Sequence, residues 1–186
     1  MRALIALILF LLPVASCCAQ QYVGSSADSY RIEDADVGRI KRLMLTLADG
    51  STVDAPRIAN QTAFDRPVFS PDRRRVAWGA LEPGCCTSYP IPTALVIFEA
   101  NRIVRVIRED QCIFKPVFER GGSAIAYITA ALHGDSGGRA HLRRLSDGKE
   151  IGKYIVPNTV GDDDSEQVAA LRRAPKWVKE IHAFDQ

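Results

Sequence analysis

Ser136 stands in the run His133-Gly134-Asp135-Ser136-Gly137-Gly138, with an imidazole three residues upstream and a carboxylate beside it. Those are the groups of nucleophilic acyl transfer. The reaction also needs a base within about 2.6–3.2 Å of the hydroxyl, an orienting partner for that base and donors for the developing oxyanion. His133 is the only imidazole upstream of Ser136, and it shares the same loop. A glycine-rich loop is a poor scaffold for holding such a pair within about half an ångström of productive geometry. The glycines fit a turn between two strands, where positive φ is needed. We assign no catalytic residue and expect a chain that is not an enzyme. A hydrolase or thiol enzyme using Ser136 and His133, or Cys85 and Cys86, is the alternative. Tyr89, His133 and Asp135 stand as loop residues suited to binding.

Cysteine is the second reactive type. Beyond the N-terminal region the chain has Cys85, Cys86 and Cys112. In an oxidising compartment one bridge, from Cys112 to either Cys85 or Cys86, leaves one thiol over. Three reduced cysteines, some of them buried, are the competing reading. Adjacent cysteines lack the two-residue spacing that lets two sulfurs chelate zinc, so a site built from Cys85, Cys86, Cys112 and His133 is disfavoured. Asp162, Asp164 and Glu166 alternate like the first ligands of a calcium loop. Gln167 then stands where such a loop needs glycine, and Arg173 where it needs glutamate. No metal and no cofactor is assigned.

Cys17 carries a different chemistry. Met1-Arg2 opens the chain, Ala3 to Leu12 is an unbroken apolar run, and Pro13 closes it before Ala15 and Ser16. The run is too short for a spanning helix and ends in small residues, as a signal peptide does. Val14-Ala15-Ser16-Cys17 resembles a bacterial lipobox, which implies cleavage before Cys17 and acylation of its sulfur and amine. Several acyl chains at about 0.8 kcal/mol per buried CH2 suffice for stable anchoring. Ordinary cleavage after Ala19 competes, and would leave a soluble periplasmic or secreted protein. From Gln20 to Asp36 the chain is polar and aperiodic; it reads as a tether, which leaves open that it adds a closing strand.

The elements that position these residues come from two interleaved repeats. Pro67-Val68-Phe69-Ser70-Pro71-Asp72-Arg73-Arg74-Arg75-Val76-Ala77-Trp78 recurs 49 positions later as Pro116-Val117-Phe118-Glu119-Arg120-Gly121-Gly122-Ser123-Ala124-Ile125-Ala126-Tyr127. Each copy reads as strand, polar turn, strand at the spacing of one propeller blade. Between the copies and around them run three apolar hairpins: Leu43 to Val53 around Asp49-Gly50, Leu95 to Ile107 around Asn101, and Leu142 to Ile155 around Asp147-Gly148.

Phe69-Ser70-Pro71-Asp72, followed by basic residues and Val76-Ala77-Trp78, resembles the WD40-like repeats of TolB-type β-propellers. Arg73 stands where that family usually has glycine, and the second copy keeps less of the turn. Gly84-Cys85-Cys86-Thr87-Ser88-Tyr89-Pro90 and Leu132-His133-Gly134 resemble features of a group of uncharacterised exported bacterial proteins with such repeats. The resemblance covers residues 39 to 155. It implies a propeller-like fold and an envelope setting, and carries no activity with it.

We therefore expect a mainly β chain: two to three stacked four-stranded antiparallel sheets, an incomplete propeller, with a short C-terminal helical segment. The divisions are a leader over 1–16, a tether over 17–36, a repeat domain over 37–157 and the helical segment over 158–186. In that last segment Trp177, Ile181 and Phe184 share one face that docks on the sheets. Two complete repeats and a partial one are too few to close a wheel, so either the helical segment caps an open stack, the reading preferred here, or another chain covers the exposed sheet edges. The 24 basic and 22 acidic side chains in 186 residues leave a formal charge of +2, and no one-sign field to draw nucleic acid. The expected function is a non-catalytic binding or scaffold module. Its partner is an envelope protein, peptide or glycan, and its membrane contact is a lipid anchor facing the periplasm.

Mass spectrometry of the protein purified from its native host is expected to find a mature chain that begins at Cys17 and carries acyl mass. A free N-terminus at Gln20 would remove the anchor, and retention of residues 1 to 16 would remove export as well.

Overall fold

The computed structural model describes residues 27–36, 39–84, 87–132, 138–155 and 165–183. Its strands are β1 (Ala27–Asp36), β2 (Arg39–Leu47), β3 (Thr52–Asp54), β4 (Ala63–Phe69), β5 (Arg75–Pro83), β6 (Pro90–Glu99), β7 (Arg102–Arg108), β8 (Cys112–Glu119), β9 (Ala124–Ala130), β10 (Arg139–Arg144) and β11 (Glu150–Ile155). Two helices follow, α1 (Ser165–Arg173) and α2 (Lys176–Ala183). The two 49-spaced copies are β4–β5 and β8–β9. The three hairpins expected from the sequence are β2–β3, β6–β7 and β10–β11.

Turn chemistry fixes those hairpins. Gly50 and Gly148 take φ of 79° and 77°, and the aspartate before each accepts a backbone N–H two residues on, from Ser51 at 2.9 Å and Lys149 at 3.1 Å. The β6–β7 turn is built without glycine. Ala100 and Asn101 both adopt left-handed φ, 51° and 59°, as the tight two-residue hairpin demands.

All pairing is antiparallel. The strands β8, β9, β10 and β11 form a four-stranded meander, and β4 to β7 repeat that order. Here the architecture departs from separate four-stranded sheets, because β1, β2 and β3 join β4–β7 in one seven-stranded sheet. The link between β2 and β4 is a single pair, Ile40 with Phe64. The β1–β3 part lies over the β4–β7 part: Leu43 and Leu45 of β2 share an apolar cluster with Val76, Trp78 and Val96. The stretch that reads as a tether thus supplies β1, which pairs with β2 along most of its length.

Two further clusters complete the stack. Ala77, Leu95 and Ile97 of the middle layer meet Ile113, Ile125 and Tyr127 of the last one. The last layer's far face, Ala124, Ala126, Ala140 and Leu142, is covered by Ala174, Val178 and Ile181 of the helical segment. Trp177 is partly buried in the same cluster, beside Gly152, whose missing Cβ would stand 3.2 Å from the indole. Val178 and Ile181 are fully buried, so α2 docks as its apolar spacing foretells. Phe184 lies outside the described residues.

Trp78 is the largest fully buried side chain. Its ring meets Phe64 edge-on, with centroids 5.8 Å apart, and Phe98 at 6.1 Å, while its Nε1–H finds no acceptor among the described residues. That orphan N–H costs stability, but the packing outweighs it, since the indole fills the space between two layers. Trp78→Ala is expected to lower unfolding free energy by about 3 to 5 kcal/mol, measured by urea titration. A loss below about 1 kcal/mol, the range of surface changes, would contradict the packing described here.

Candidate functional site

The two repeat copies each carry a β-bulge at the same place. Register shifts fall between Asp65 and Val68 in β4 and between Phe114 and Val117 in β8. The residue before each proline, Arg66 or Lys115, takes a left-handed φ of 40° or 51°. A non-glycine residue there costs on the order of 1–3 kcal/mol and persists only where its surroundings hold it. Such bulges re-aim side chains and end pairing.

Between the bulges runs a groove of about 420 Å3, within the range of ligand sites. Its walls are Pro67, Val68, Phe69, Pro116, Val117 and Phe118, with Tyr30 of β1 at one end. Tyr30 stacks on Phe69 with centroids 5.4 Å apart, and the Arg73 guanidinium lies 4.6 Å from the centre of the same Phe69 ring. Among the described residues that line the groove the cations are Arg66 and Lys115, and Lys115 has an interaction partner of its own. Because β8 ends its sheet, the groove runs along an edge strand.

A buried polar relay crosses the last sheet. His141 is 5% exposed; one ring nitrogen stands 3.0 Å from Thr129 Oγ1 and the other 2.7 Å from Glu150 Oε2. The imidazole stacks on Tyr127, with ring centroids 5.2 Å apart. Tyr127 donates its hydroxyl proton to Glu109 and accepts Arg143 Nε–H at 2.6 Å, while Arg143 Nη2–H reaches Glu109 at 2.8 Å. Burial, with the Glu109 hydrogen bond, pushes the Tyr127 hydroxyl well above the usual phenol range. The His141 hydrogen bond holds the Glu150 carboxyl below its ordinary value. Hydroxyl, imidazole and carboxylate here have the order of a hydrolytic triad, but Thr129 is 3% exposed, so substrate cannot reach it. The relay satisfies buried polar groups between layers.

Glu119 occupies the position that Ser70 holds in the first copy. Ser70 is buried and closes its turn through Asp72 Oδ1 at 2.6 Å and the Arg75 carbonyl. Glu119 meets α2 instead: its Oε1 is buried without a partner, and it lies against Glu180, which Lys176 holds at 3.2 Å. Burial first, then the hydrogen bond and charge of Glu180, raise Glu119 to about 7. The same hydrogen bond and Lys176 hold Glu180 low.

The residues singled out by sequence fall elsewhere. Cys17, Cys85, Cys86, His133, Asp135 and Ser136 lie outside the described residues. Cys112 is a buried free thiol whose burial raises its pKa, so the bridge expected at Cys112 is not formed in this structure. Tyr89 precedes β6 and packs under the Arg39 guanidinium, which lies 5.6 Å from the centre of the tyrosine ring, and it does not line the groove. Among the described residues no group of three His, Cys, Asp or Glu side chains could hold a metal ion, and no helix is long and apolar enough to cross a membrane. The groove's signal in the sequence is Arg66-Pro67 and Lys115-Pro116, a basic residue before proline at the same 49-residue offset. His141 has no such signal, since only its place on β10 brings it to Thr129 and Glu150.

No family model matches the chain, and no curated protein matches it. Solved structures similar to it include an oligogalacturonate lyase in complex with manganese, at 14% identity over 64% of this chain and 31% of that one, with a TM-score of 0.41. Hydrazine synthase of Kuenenia stuttgartiensis is similar at 17% identity over 63% of this chain and 34% of that one, with a TM-score of 0.38. A puromycin-hydrolysing peptidase of Mycobacterium tuberculosis is similar at 18% identity over 70% of this chain and 24% of that one, with a TM-score of 0.42. The chain spans about a third or less of the length of these three proteins. All three are enzymes by name; the expectation of a non-catalytic chain stays a proposal.

Glu119 makes the helix cap sensitive to pH. A carboxyl whose folded pKa, about 7, exceeds its unfolded value near 4.5 stabilises the fold fully below pH 4.5 and loses that contribution as pH rises through 7. Glu180, held low, acts in the opposite sense, and its contribution fades only as pH falls through the acid range. Glu119→Gln is expected to flatten the fall in Tm between about pH 5 and 8, read by calorimetry. Parallel curves for the variant and the parent would show that Glu119 does not titrate in that window.

Proposed function

We propose that this chain is an exported, lipid-anchored, non-catalytic binding module of the bacterial envelope, related to the TolB-type repeat proteins. Its groove takes an extended apolar segment of a protein partner that also carries a carboxylate. The carrying observation is the groove itself, to which both repeat copies contribute the same bulge and proline. Three further features support the reading. Prolines and aromatic rings offer a stiff apolar surface at little entropic cost. Arg66, at the rim of the groove, favours a partner of opposite charge. The edge of β8 offers main-chain groups to an extended chain. The address rests on the apolar leader and on Cys17, as read from the sequence.

The test is a photo-crosslinking residue at Val117 in the anchored protein, with parallel recovery on a soluble version carrying Arg66→Glu. Crosslinks are expected to one partner, at an apolar segment with a neighbouring Asp or Glu, and the charge reversal is expected to abolish recovery while leaving Tm unchanged. Equal recovery by parent and reversed protein would sink the groove as the binding surface.

A further inference from the structure

A second concavity, of about 600 Å3, lies where the ends of β6 and β7 meet the turn Arg120–Gly122 and the β10–β11 hairpin. Four guanidinium groups line it, from Arg75, Arg105, Arg120 and Arg144, against one carboxylate, Glu99. Four positive charges less one negative give +3, more than the +2 of the entire chain. Charge is therefore concentrated here.

Part of that charge is compensated. Arg75 donates Nε–H to Glu99 at 3.0 Å and Nη1–H to the Gly122 carbonyl at 2.9 Å, which ties the first copy's turn to the second's. Arg144 pairs with Asp147 at 3.3 Å. Arg105 differs, because it donates to two carbonyls, Leu145 O at 3.0 Å and Ser146 O at 3.2 Å, which orient the guanidinium without neutralising it. Gly148 makes room for this: a Cβ there would stand 2.5 Å from Arg105 Nη1. Arg120 is exposed and meets no carboxylate among the described residues. Two guanidinium charges thus converge on one cleft without a counter-charge, one of them held in place by the fold, beside the apolar side chains of Val104 and Ile151.

We propose that this cleft binds a phosphomonoester. A dianion matches two uncompensated guanidinium groups where a monoanion leaves one over, and planar N–H forks suit phosphate oxygens. Val104 and Ile151 give the carbon attached to the ester oxygen an apolar bed. The phosphate can belong to a free small molecule or to a lipid headgroup, and the chemistry recognised is the same. The site is independent of the groove and does not rest on the function proposed for it.

Calorimetric titration of the full chain with phenyl phosphate is expected to show saturable 1:1 binding, about tenfold or more tighter than benzoate. Arg120→Gln, an exposed change that leaves Tm in place, is expected to weaken the phosphate by about tenfold, whereas Arg66→Gln in the other concavity leaves it unchanged. Arg105→Gln should do the same as Arg120→Gln, and if it does not fold the Arg120 result still decides. Sedimentation with vesicles containing phosphatidate, lost in Arg120→Gln, identifies the headgroup as the source; phenyl phosphate binding without vesicle binding identifies a free ester. Absence of saturable binding, equal affinity for benzoate, or an equal loss in Arg66→Gln overturns the proposal.

Discussion

The middle and last layers must bury both faces of their strands, and most of the structure follows from that. In β5, Val76, Ala77 and Trp78 are all fully buried, yet they belong to two clusters, with Val76 and Trp78 on one side and Ala77 on the other. In β9 the same alternation sends Ile125 and Tyr127 back towards the middle layer and Ala124 and Ala126 onward. In the runs Val76-Ala77-Trp78 and Ile125-Ala126-Tyr127 the large residues face the preceding layer and the alanine faces the following one. The spacing between layers is therefore written into side-chain volume, as close packing requires. It also explains the helices, because the alanine face that another layer would cover is closed by Val178 and Ile181.

Polar groups caught between layers obey a second constraint. Those in the last layer are joined into networks, one through Tyr127, Arg143 and Glu109 and one through Thr129, His141 and Glu150. Fully satisfied networks fix a single packing arrangement. Among the described residues two groups escape: Trp78 Nε1–H and Glu119 Oε1 have no partner. The first is the consequence of choosing indole for volume. The second lies where the second repeat replaced a serine that closes its own turn by a longer acid that reaches the cap.

The repeats were legible because turn chemistry and alternation coincide in them. Asp49-Gly50 and Asp147-Gly148 mark tight turns, and Val76-Ala77-Trp78 with Ile125-Ala126-Tyr127 mark strands buried on both sides. The joining of β1–β3 to β4–β7 was not legible, since it hangs on one pair, Ile40 with Phe64, that no local pattern marks. Nor was the strand character of β1: Tyr30 and Ile32 remain partly exposed, so its residues look like those of a polar tail. The groove was hidden for a different reason. Left-handed φ is foretold by glycine, and at Arg66 and Lys115 the conformation is imposed by the surrounding sheet. The guanidinium cleft gathers residues from four separate segments, and the near-neutral net charge conceals it. The chemistry-bearing loops at 85–86 and 133–137 lie outside the described residues, so the structure leaves their reading as it stood.

The three apolar clusters lie one after another along the stack, each joining one pair of neighbouring layers. Stability in such a series is set by nearest-neighbour couplings, as in a short linear array, and cooperativity fades towards the free ends. The ends here are unequal in kind. One is a strand with exposed Tyr30 and Ile32, and the other is a pair of short helices with exposed Val168. Opening thus begins at either terminus and reaches the indole between the first two layers from only one of them. A molecule built this way can loosen its helical end, where Glu119 resides and Val117 packs, while the stack of Tyr30 on Phe69 keeps its shape.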